Sequence, residues 1–144
     1  MTISPVLFSS NKEDWETPQD LFDELHEEFQ FTLDAAASKE NTKCTSFYTK
    51  EDDALKQIWH PRTFCNPPYS RKVGHWIKKA FQESQEGCLV VMLLPARTST
   101  PWFHKYIYKQ PSVETRFLKG RLHFSNSIHG APFPSMIVIF RPPS

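Results

Sequence analysis

The stretch Asn66-Pro67-Pro68-Tyr69 carries the residue types best suited to chemistry. Two adjacent prolines fix two φ angles and remove two backbone donors. Pro67 also pushes Asn66 away from helical geometry. The loop is therefore stiff, and it can hold the Asn66 side-chain oxygen and the Pro67 carbonyl as two fixed acceptors. An aromatic amine offers two N–H donors and a lone pair delocalised into its ring. Accepting both hydrogens favours the more tetrahedral, more nucleophilic nitrogen, which can attack an electrophilic methyl group in line. No strong base is required, because the amine loses its proton after alkylation. The chemistry is positioning plus electrostatic preorganisation. Tyr69 adds a face on which a planar base can stack, a contact worth about 1–3 kcal/mol. The same four residues can also be only a rigid turn after a strand, so their context decides.

That context comes from the elements on either side. Thr63-Phe64-Cys65 reads as a strand running into the tetrapeptide, and Val73–Glu83 reads as a helix leaving it, with Trp76, Ile77, Ala80 and Phe81 on one face. Before them, Thr17-Pro18 starts a helix over Gln19–Phe29, with Leu21, Phe22, Leu25 and Phe29 at helical spacing and acids near its start. Phe31-Thr32-Leu33 is a short strand ending in Asp34. Ser46–Thr49 is a second strand candidate, and Asp53-Ala54-Leu55 leads into a short helix or turn near Trp59. Gly87 ends the second long helix. Leu89–Leu94 is the strongest strand, continuously apolar and so buried on both faces. Trp102–Tyr108 reads as a helix, and the helical spacing of Trp102 with Tyr106 marks Trp102 as a core residue. Glu114–Leu118 and Met136–Phe140 are the last strands, and Ser125–Pro134 between them is a turn-rich candidate for a mobile loop. Strands alternating with helices predict an α/β, mostly parallel sheet; the last two strands have no helix between them and can pair antiparallel. Ligands of such sheets sit beyond the carboxyl ends of the strands, where Asp34, Asn66 and Pro95 all fall.

The chain has 144 residues, 39% hydrophobic and 14% aromatic, enough for one packed domain. Residues 1–13 read as a flexible lead-in and 14–144 as the domain. No apolar run approaches the roughly 20 residues that span a bilayer, and no secretory pattern opens the chain. Cys44, Cys65 and Cys88 lack metal-ligand spacing and fit reduced thiols of a cytoplasmic protein. Six histidines are scattered with no H-x-x-x-H pair, so no metal site is expected. Net charge is only +1, which does not announce a nucleic-acid binder. Its distribution says more: acids dominate from Asp14 to Asp53, and bases outnumber them from Arg62 onwards.

In order and spacing, several stretches together resemble the phage-type DNA N6-adenine methyltransferase (Dam) family over about residues 14–142. They are Trp15-Glu16-Thr17-Pro18, Phe31-Thr32-Leu33-Asp34, Phe47-Tyr48-Thr49 with Glu51-Asp52-Asp53, and Asn66-Pro67-Pro68-Tyr69. Leu93-Leu94-Pro95-Ala96-Arg97, Trp102-Phe103-His104, Phe117 to Leu122 and Pro132-Phe133-Pro134-Ser135 complete the set. The resemblance implies a Rossmann-like methyltransferase fold, S-adenosyl-L-methionine as methyl donor, adenine in DNA as acceptor, and a phage- or prophage-encoded protein acting in the bacterial host cytoplasm.

Each part of that donor needs its own partner. Asp34 can accept from the ammonium group or a ribose hydroxyl, and Asp52 and Asp53 from the ribose or the adenine amine. Thr17-Pro18 offers a hydroxyl and helix N-terminal donors to the carboxylate; Trp15, Ala35 and Asn66 join this set through the resemblance. The usual Gly-rich turn after the first strand is replaced by Ala35-Ala36-Ala37-Ser38. Reaching an amine inside a duplex requires base flipping or single strands. Arg71, Lys72, Arg97 and Arg121 are the candidate phosphate and target contacts. With no separate recognition domain, sequence readout falls to loops such as Ser125–Pro134 or to the second subunit of a homodimer. Two alternatives stay open on the residues: methylation of another planar amine (cytosine N4, an RNA base, or protein glutamine, where N-P-P-Y also occurs), and an inactive binding module on the same fold.

Overall fold

Helix α1 spans Gln19–Phe29 and buries Phe22, Leu25 and Phe29 of the expected stripe, with Leu21 only half-buried. Pro18 is its N-cap, with extended backbone and a carbonyl that accepts from Phe22 N–H at 3.1 Å. Gln30 ends it in the left-handed conformation, φ 56°, donating to the His26 carbonyl. The chain then enters β1, Leu33–Asp34. This strand is shorter than expected and starts later; ahead of it the Phe31 N–H donates to His26 Nδ1 at 3.0 Å. The expected Ser46–Thr49 strand reduces to one parallel bridge, Phe47 to Asp34. A single 3₁₀ turn, Ala54–Lys56, follows.

Strand β2, Arg62–Cys65, delivers the Asn-Pro-Pro-Tyr corner, after which α2, Val73–Gln85, buries Val73, Ile77, Ala80 and Ser84. Gly87, at φ 107°, turns the chain into β3, Leu89–Pro95, all but its first residue buried. Helix α3, Pro101–Tyr106, is capped by Thr100 Oγ1 accepting from Phe103 N–H, with Pro101 at the first helical position. It stops two residues sooner than its periodicity suggests, with Ile107 as its C-cap donating to the Phe103 carbonyl. Strands β4, Val113–Phe117, and β5, Ser135–Phe140, complete the chain.

The computed structural model describes residues 12–143, so the expected lead-in over residues 1–13 lies, save Lys12 and Glu13, outside the described residues. The architecture is α/β: a mixed five-stranded sheet in the order β1-β2-β3-β5-β4, with three helices. The pairs β1–β2 and β2–β3 are parallel, while β5 runs antiparallel between β3 and β4. Four strands therefore point one way, and the antiparallel strand is the C-terminal one, as the missing helix between β4 and β5 predicts. Side-chain alternation splits the core into two layers. Val90, Met92, Leu94, Met136 and Val138 face Ile77, Ala80 and Phe103. Val91, Leu93, Ile137, Ile139 and Phe64 face Phe22, Leu25 and Phe29. Trp102 packs against the first of these layers, at Gly74 of α2. Asp34, Asn66 and Pro95 lie at the carboxyl ends of three adjacent strands.

Candidate active site

The β2 corner is held by the N-terminal arm. Asn66 Nδ2 donates to the Trp15 carbonyl and to Thr17 Oγ1, the latter at 3.0 Å. A carbonyl can only accept, so the contact with Trp15 fixes which end of the amide carries nitrogen. Asn66 Oδ1 is consequently turned away from both, and it is a buried acceptor with no hydrogen-bond partner among the described residues. Native proteins seldom leave such an atom unpaired without a use for it. Tyr69 N–H donates to the Glu13 carbonyl at 2.9 Å, and its hydroxyl donates to the Leu93 carbonyl at 2.9 Å. The Tyr69 ring is 7% exposed, edge-on to Phe133 at 5.6 Å and to Phe124 at 6.3 Å. Its expected stacking face is thus covered here. Pro67 is buried and Pro68 half-buried beneath the arm.

The arm itself is clasped by the segment before β5. Asn126 reads its backbone twice: Oδ1 accepts from Glu16 N–H and Nδ2 donates to the Asp14 carbonyl, both at 2.9 Å. Ser125 N–H donates to the Glu16 carbonyl, and its hydroxyl donates to the Thr17 carbonyl. Lys12 Nζ reaches the Asn126 carbonyl at 3.0 Å. The Trp15 ring lies between Phe124 and Phe133, each 5.2 Å away, with its indole N–H on the Lys12 carbonyl. Lys12 and Glu13 are thereby fixed. Ser125, Asn126 and Phe133 belong to the segment expected as a mobile loop and a place for target readout; the structure packs it on the N-terminal arm together with Phe124, a role sequence reasoning missed. Ser125 and Asn126 read as ordinary turn formers, and nothing in the pattern signals a contact across more than a hundred residues.

At the end of β1, Asp34 is 3% exposed. Its Oδ2 accepts from Lys43 N–H at 3.0 Å. Burial pushes its carboxyl up to about 6, against the opposing pull of backbone N–H groups of Lys43 and Ala36. A buried carboxylate this poorly compensated gains from any cation brought to it. Ala35 sits beside it with its methyl wholly buried in the first core layer and its N–H on the Phe64 carbonyl. Asp52 is exposed, and its Oδ2 accepts from Thr49 N–H and Thr49 Oγ1, bonds that hold its carboxyl below the ordinary value. Asp53, left-handed at φ 53°, pairs with Lys56 at 3.7 Å. Both acids stand beyond the carboxyl end of β1 on the segment that bridges to it, but each is engaged locally rather than joined to Asp34.

The expected target contacts fall at the same sheet edge. Arg71 and Lys72 are exposed between the corner and α2, Arg97 is exposed after β3, and Arg121 is exposed after β4. Among the described residues none of the four enters an ion pair, whereas Arg116 and Arg141 are engaged with Glu28 and Glu114. The basic residues thus divide into structural ones and an uncommitted rim.

The site therefore joins a stiff corner with an unspent acceptor to a buried carboxylate at the next strand end, a pairing suited to methyl transfer onto a flat amine. The profile of the DNA N-6-adenine-methyltransferase (Dam) family matches residues 6–143, and the chain belongs to that family. It is 32% identical to the DNA N-6-adenine-methyltransferase of Haemophilus phage HP1 over 92% of this chain and 81% of that protein. It is 40% identical to the enzyme of the same name from Escherichia phage T1, over 62% of this chain but only 38% of the phage T1 protein's length. A putative methyltransferase of Escherichia coli K12, YfdM, is 38% identical over 38% of this chain and 69% of its own. No helix among the described residues is long and apolar enough to cross a membrane.

Proposed function

We propose that this protein transfers a methyl group from S-adenosyl-L-methionine to the exocyclic N6 amine of adenine in DNA, on a Rossmann-like methyltransferase fold. The observation that carries the reading is the Asn66 amide: its nitrogen is fixed by two acceptors and its oxygen is left unspent at the end of a parallel strand. The donor, when bound, supplies an electrophilic sulfonium methyl. Asn66 Oδ1 and the Pro67 carbonyl accept the two amine hydrogens, which turns the nitrogen lone pair out of the ring system and towards that carbon. A nitrogen–carbon bond forms as the sulfur–carbon bond breaks, and the extra proton leaves to water.

Asp34 is the partner for the donor's ammonium group, which supplies the cation that a buried carboxylate lacks. Thr17 keeps a hydroxyl hydrogen free for the donor's carboxylate while its oxygen accepts from Asn66. Pro18, at the start of α1, presents that helix's N-terminus to the same group. Asp52 and Asp53 serve the ribose and the adenine, Trp15 walls the pocket, and Ala35, its methyl buried in the core, contributes only its backbone beside Asp34. Arg71, Lys72, Arg97 and Arg121 meet phosphates. A flipped adenine enters by lifting Phe133 from Tyr69, which then stacks on the base. The substrate places the enzyme in the bacterial host cytoplasm, with phage relatives in support.

Transfer of labelled methyl to DNA, RNA and protein in parallel tests this. Label in DNA, recovered as N6-methyladenine and lost in Asn66→Ala, is the expected result. Label confined to protein or RNA, or recovered as N4-methylcytosine, would reject it.

A further inference from the structure

Strand β4 is the outermost strand of the sheet, and among the described residues no strand pairs with its free edge. Hydrogen bonds fix which residues face that edge. Arg141 N–H donates to the Ser112 carbonyl and Leu118 N–H to the Ser135 carbonyl. Residues 112, 114, 116 and 118 therefore turn their backbone groups towards β5, and alternation leaves those of Val113, Thr115 and Phe117 pointing outward. Val113 N–H is satisfied by the Gln110 carbonyl at 3.1 Å. Among the described residues, the N–H groups of Thr115 and Phe117 and the carbonyls of Val113, Thr115 and Phe117 have no backbone partner. Such edges are normally blunted by proline, a bulge or uncompensated charge, lysine above all; here Glu114 and Arg116 are the charges, and each is already paired with an opposite one. Val113-Glu114-Thr115-Arg116-Phe117 has no proline or lysine, and its register with β5 is unbroken.

We propose that β4 is a dimerisation edge, taken by β4 of a second copy of this chain in antiparallel register centred on Thr115. The sequence is self-complementary in that register. Thr115 opposes Thr115, Val113 opposes Phe117, and Glu114 opposes Arg116. The two Thr115 residues exchange two hydrogen bonds, and each Phe117 N–H reaches the opposing Val113 carbonyl, so the already engaged Val113 N–H is not needed. Opposite charges face each other at both flanking positions. Centring on Glu114 or Arg116 instead would set like charges face to face. The charges are already held in place on each edge: Arg116 grips Glu28 with two bonds of 2.7 and 2.8 Å, and Arg141 holds Glu114 at 2.8 Å.

Apolar surface supports the same occupant. Phe117 is 62% exposed and Tyr108 48% exposed, unusual for rings on an edge. Both line a groove of about 460 Å³ together with Phe103, Ile107, Val113 and Thr115. In the proposed register the opposing Phe117 comes down beside Val113, inside that groove. The arrangement is a closed two-fold interface, and it stands on β4 alone, independently of the reaction assigned above.

Sedimentation of the full chain at about 100 µM, well above a micromolar dissociation constant, should give a dimer. Thr115→Pro removes an outward N–H without breaking a bond to β5, and it should give a monomer. A second variant fixes the register without weakening the strand. Opposed residues of a hydrogen-bonded pair have Cα atoms about 5.5 Å apart, within disulfide reach. Thr115→Cys should therefore form a covalent dimer on oxidation, while Glu114→Cys and the parent chain do not. A monomeric parent chain overturns the proposal, as does a dimer that Thr115→Pro leaves intact and Thr115→Cys fails to trap. A monomer that dimerises only after deletion of residues 1–11 would assign the edge to the chain's own N-terminal segment, and would equally overturn it.

Discussion

Two neighbouring strand ends treat a polar side chain in opposite ways. At the end of β1 a carboxylate is buried, its charge only partly answered by backbone N–H groups, and its acidity is weakened accordingly. After the end of β2 a neutral amide has its donor side fully held and its acceptor side empty. The difference matches two ligand chemistries. A cation, such as an ammonium group, is best met by a charge that is uncomfortable without it. An amine that is neutral before the reaction and must shed a proton afterwards is best met by a neutral acceptor, which aligns it without retaining the proton.

The largest expected effect comes from removing the empty acceptor. Asn66→Ala should lower kcat by about 10³-fold, the scale for loss of a preorganised polar partner, while donor affinity measured by calorimetry changes only a few-fold. Equal loss of both would merge the two strand ends into one function. Asp34→Asn should do the reverse, weakening donor binding by roughly 30-fold or more, as when one member of a buried charge pair is lost, with a smaller fall in kcat at saturating donor. It should also stabilise the free protein. Burial raises the folded-state pKa of Asp34 from 3.8 to about 6. The folded state therefore binds this proton more tightly than the unfolded state, and ionisation costs stability above pH 6. That cost is of order 3 kcal/mol. The melting-temperature advantage of Asp34→Asn should be full at pH 7.5 and fade as pH falls from 6 towards 4. An advantage that does not vary with pH would mean the carboxylate is better solvated than its burial implies.

The two strand ends were not equally legible in the sequence. The Asn-Pro-Pro-Tyr corner announces itself because proline leaves a visible mark on backbone geometry, and an apolar strand and an amphipathic helix flank it. The helices and the long strands β3 and β5 follow from periodicity and continuous apolar character. Strand β1 begins two residues later than its apolar pattern suggests, because its extent is set by the register with β2, Leu33 opposite Thr63, which no local pattern encodes. Ser46–Thr49 has β-forming residues but finds only one bridging partner, so propensity exceeded the pairing available. Asp34 was visible as a strand-end acid, but its burial was not. The clasp by Ser125 and Asn126 was invisible, because these residues bind backbone, and backbone acceptors and donors leave no trace in side-chain identity. Tyr69 shows the converse: its type suggested an open platform, and only packing reveals the two phenylalanines against it.

The clasp yields an intermediate effect. Asn126→Ala deletes the two hydrogen bonds that fix Asp14 and Glu16, and so loosens the carbonyl of Trp15 on which the Asn66 amide depends. At about 1 kcal/mol per bond, kcat should fall by about tenfold, with donor affinity at Asp34 spared. Asn126→Asp keeps the bond from Glu16 N–H and should recover part of the loss. An Asn126→Ala enzyme of normal kcat would show that the corner is held rigid by its prolines alone.

The smallest effect belongs to the rim, and it separates binding from chemistry. Arg71, Lys72, Arg97 and Arg121 are exposed and free of ion pairs among the described residues, so replacing one breaks no ion pair there. Each phosphate contact releases roughly one counterion from DNA. Arg97→Ala should therefore reduce the slope of log affinity against log salt by about one unit, uniformly across DNA sequences. Turnover at saturating DNA and melting temperature should stay at their parent values. Arg141→Ala makes the matching control: its guanidinium is engaged with Glu114 beside β4, so it should lower stability slightly and leave the salt slope alone. If the two variants exchanged these behaviours, DNA would lie against the β4 side of the sheet rather than across the carboxyl ends of β2 and β3.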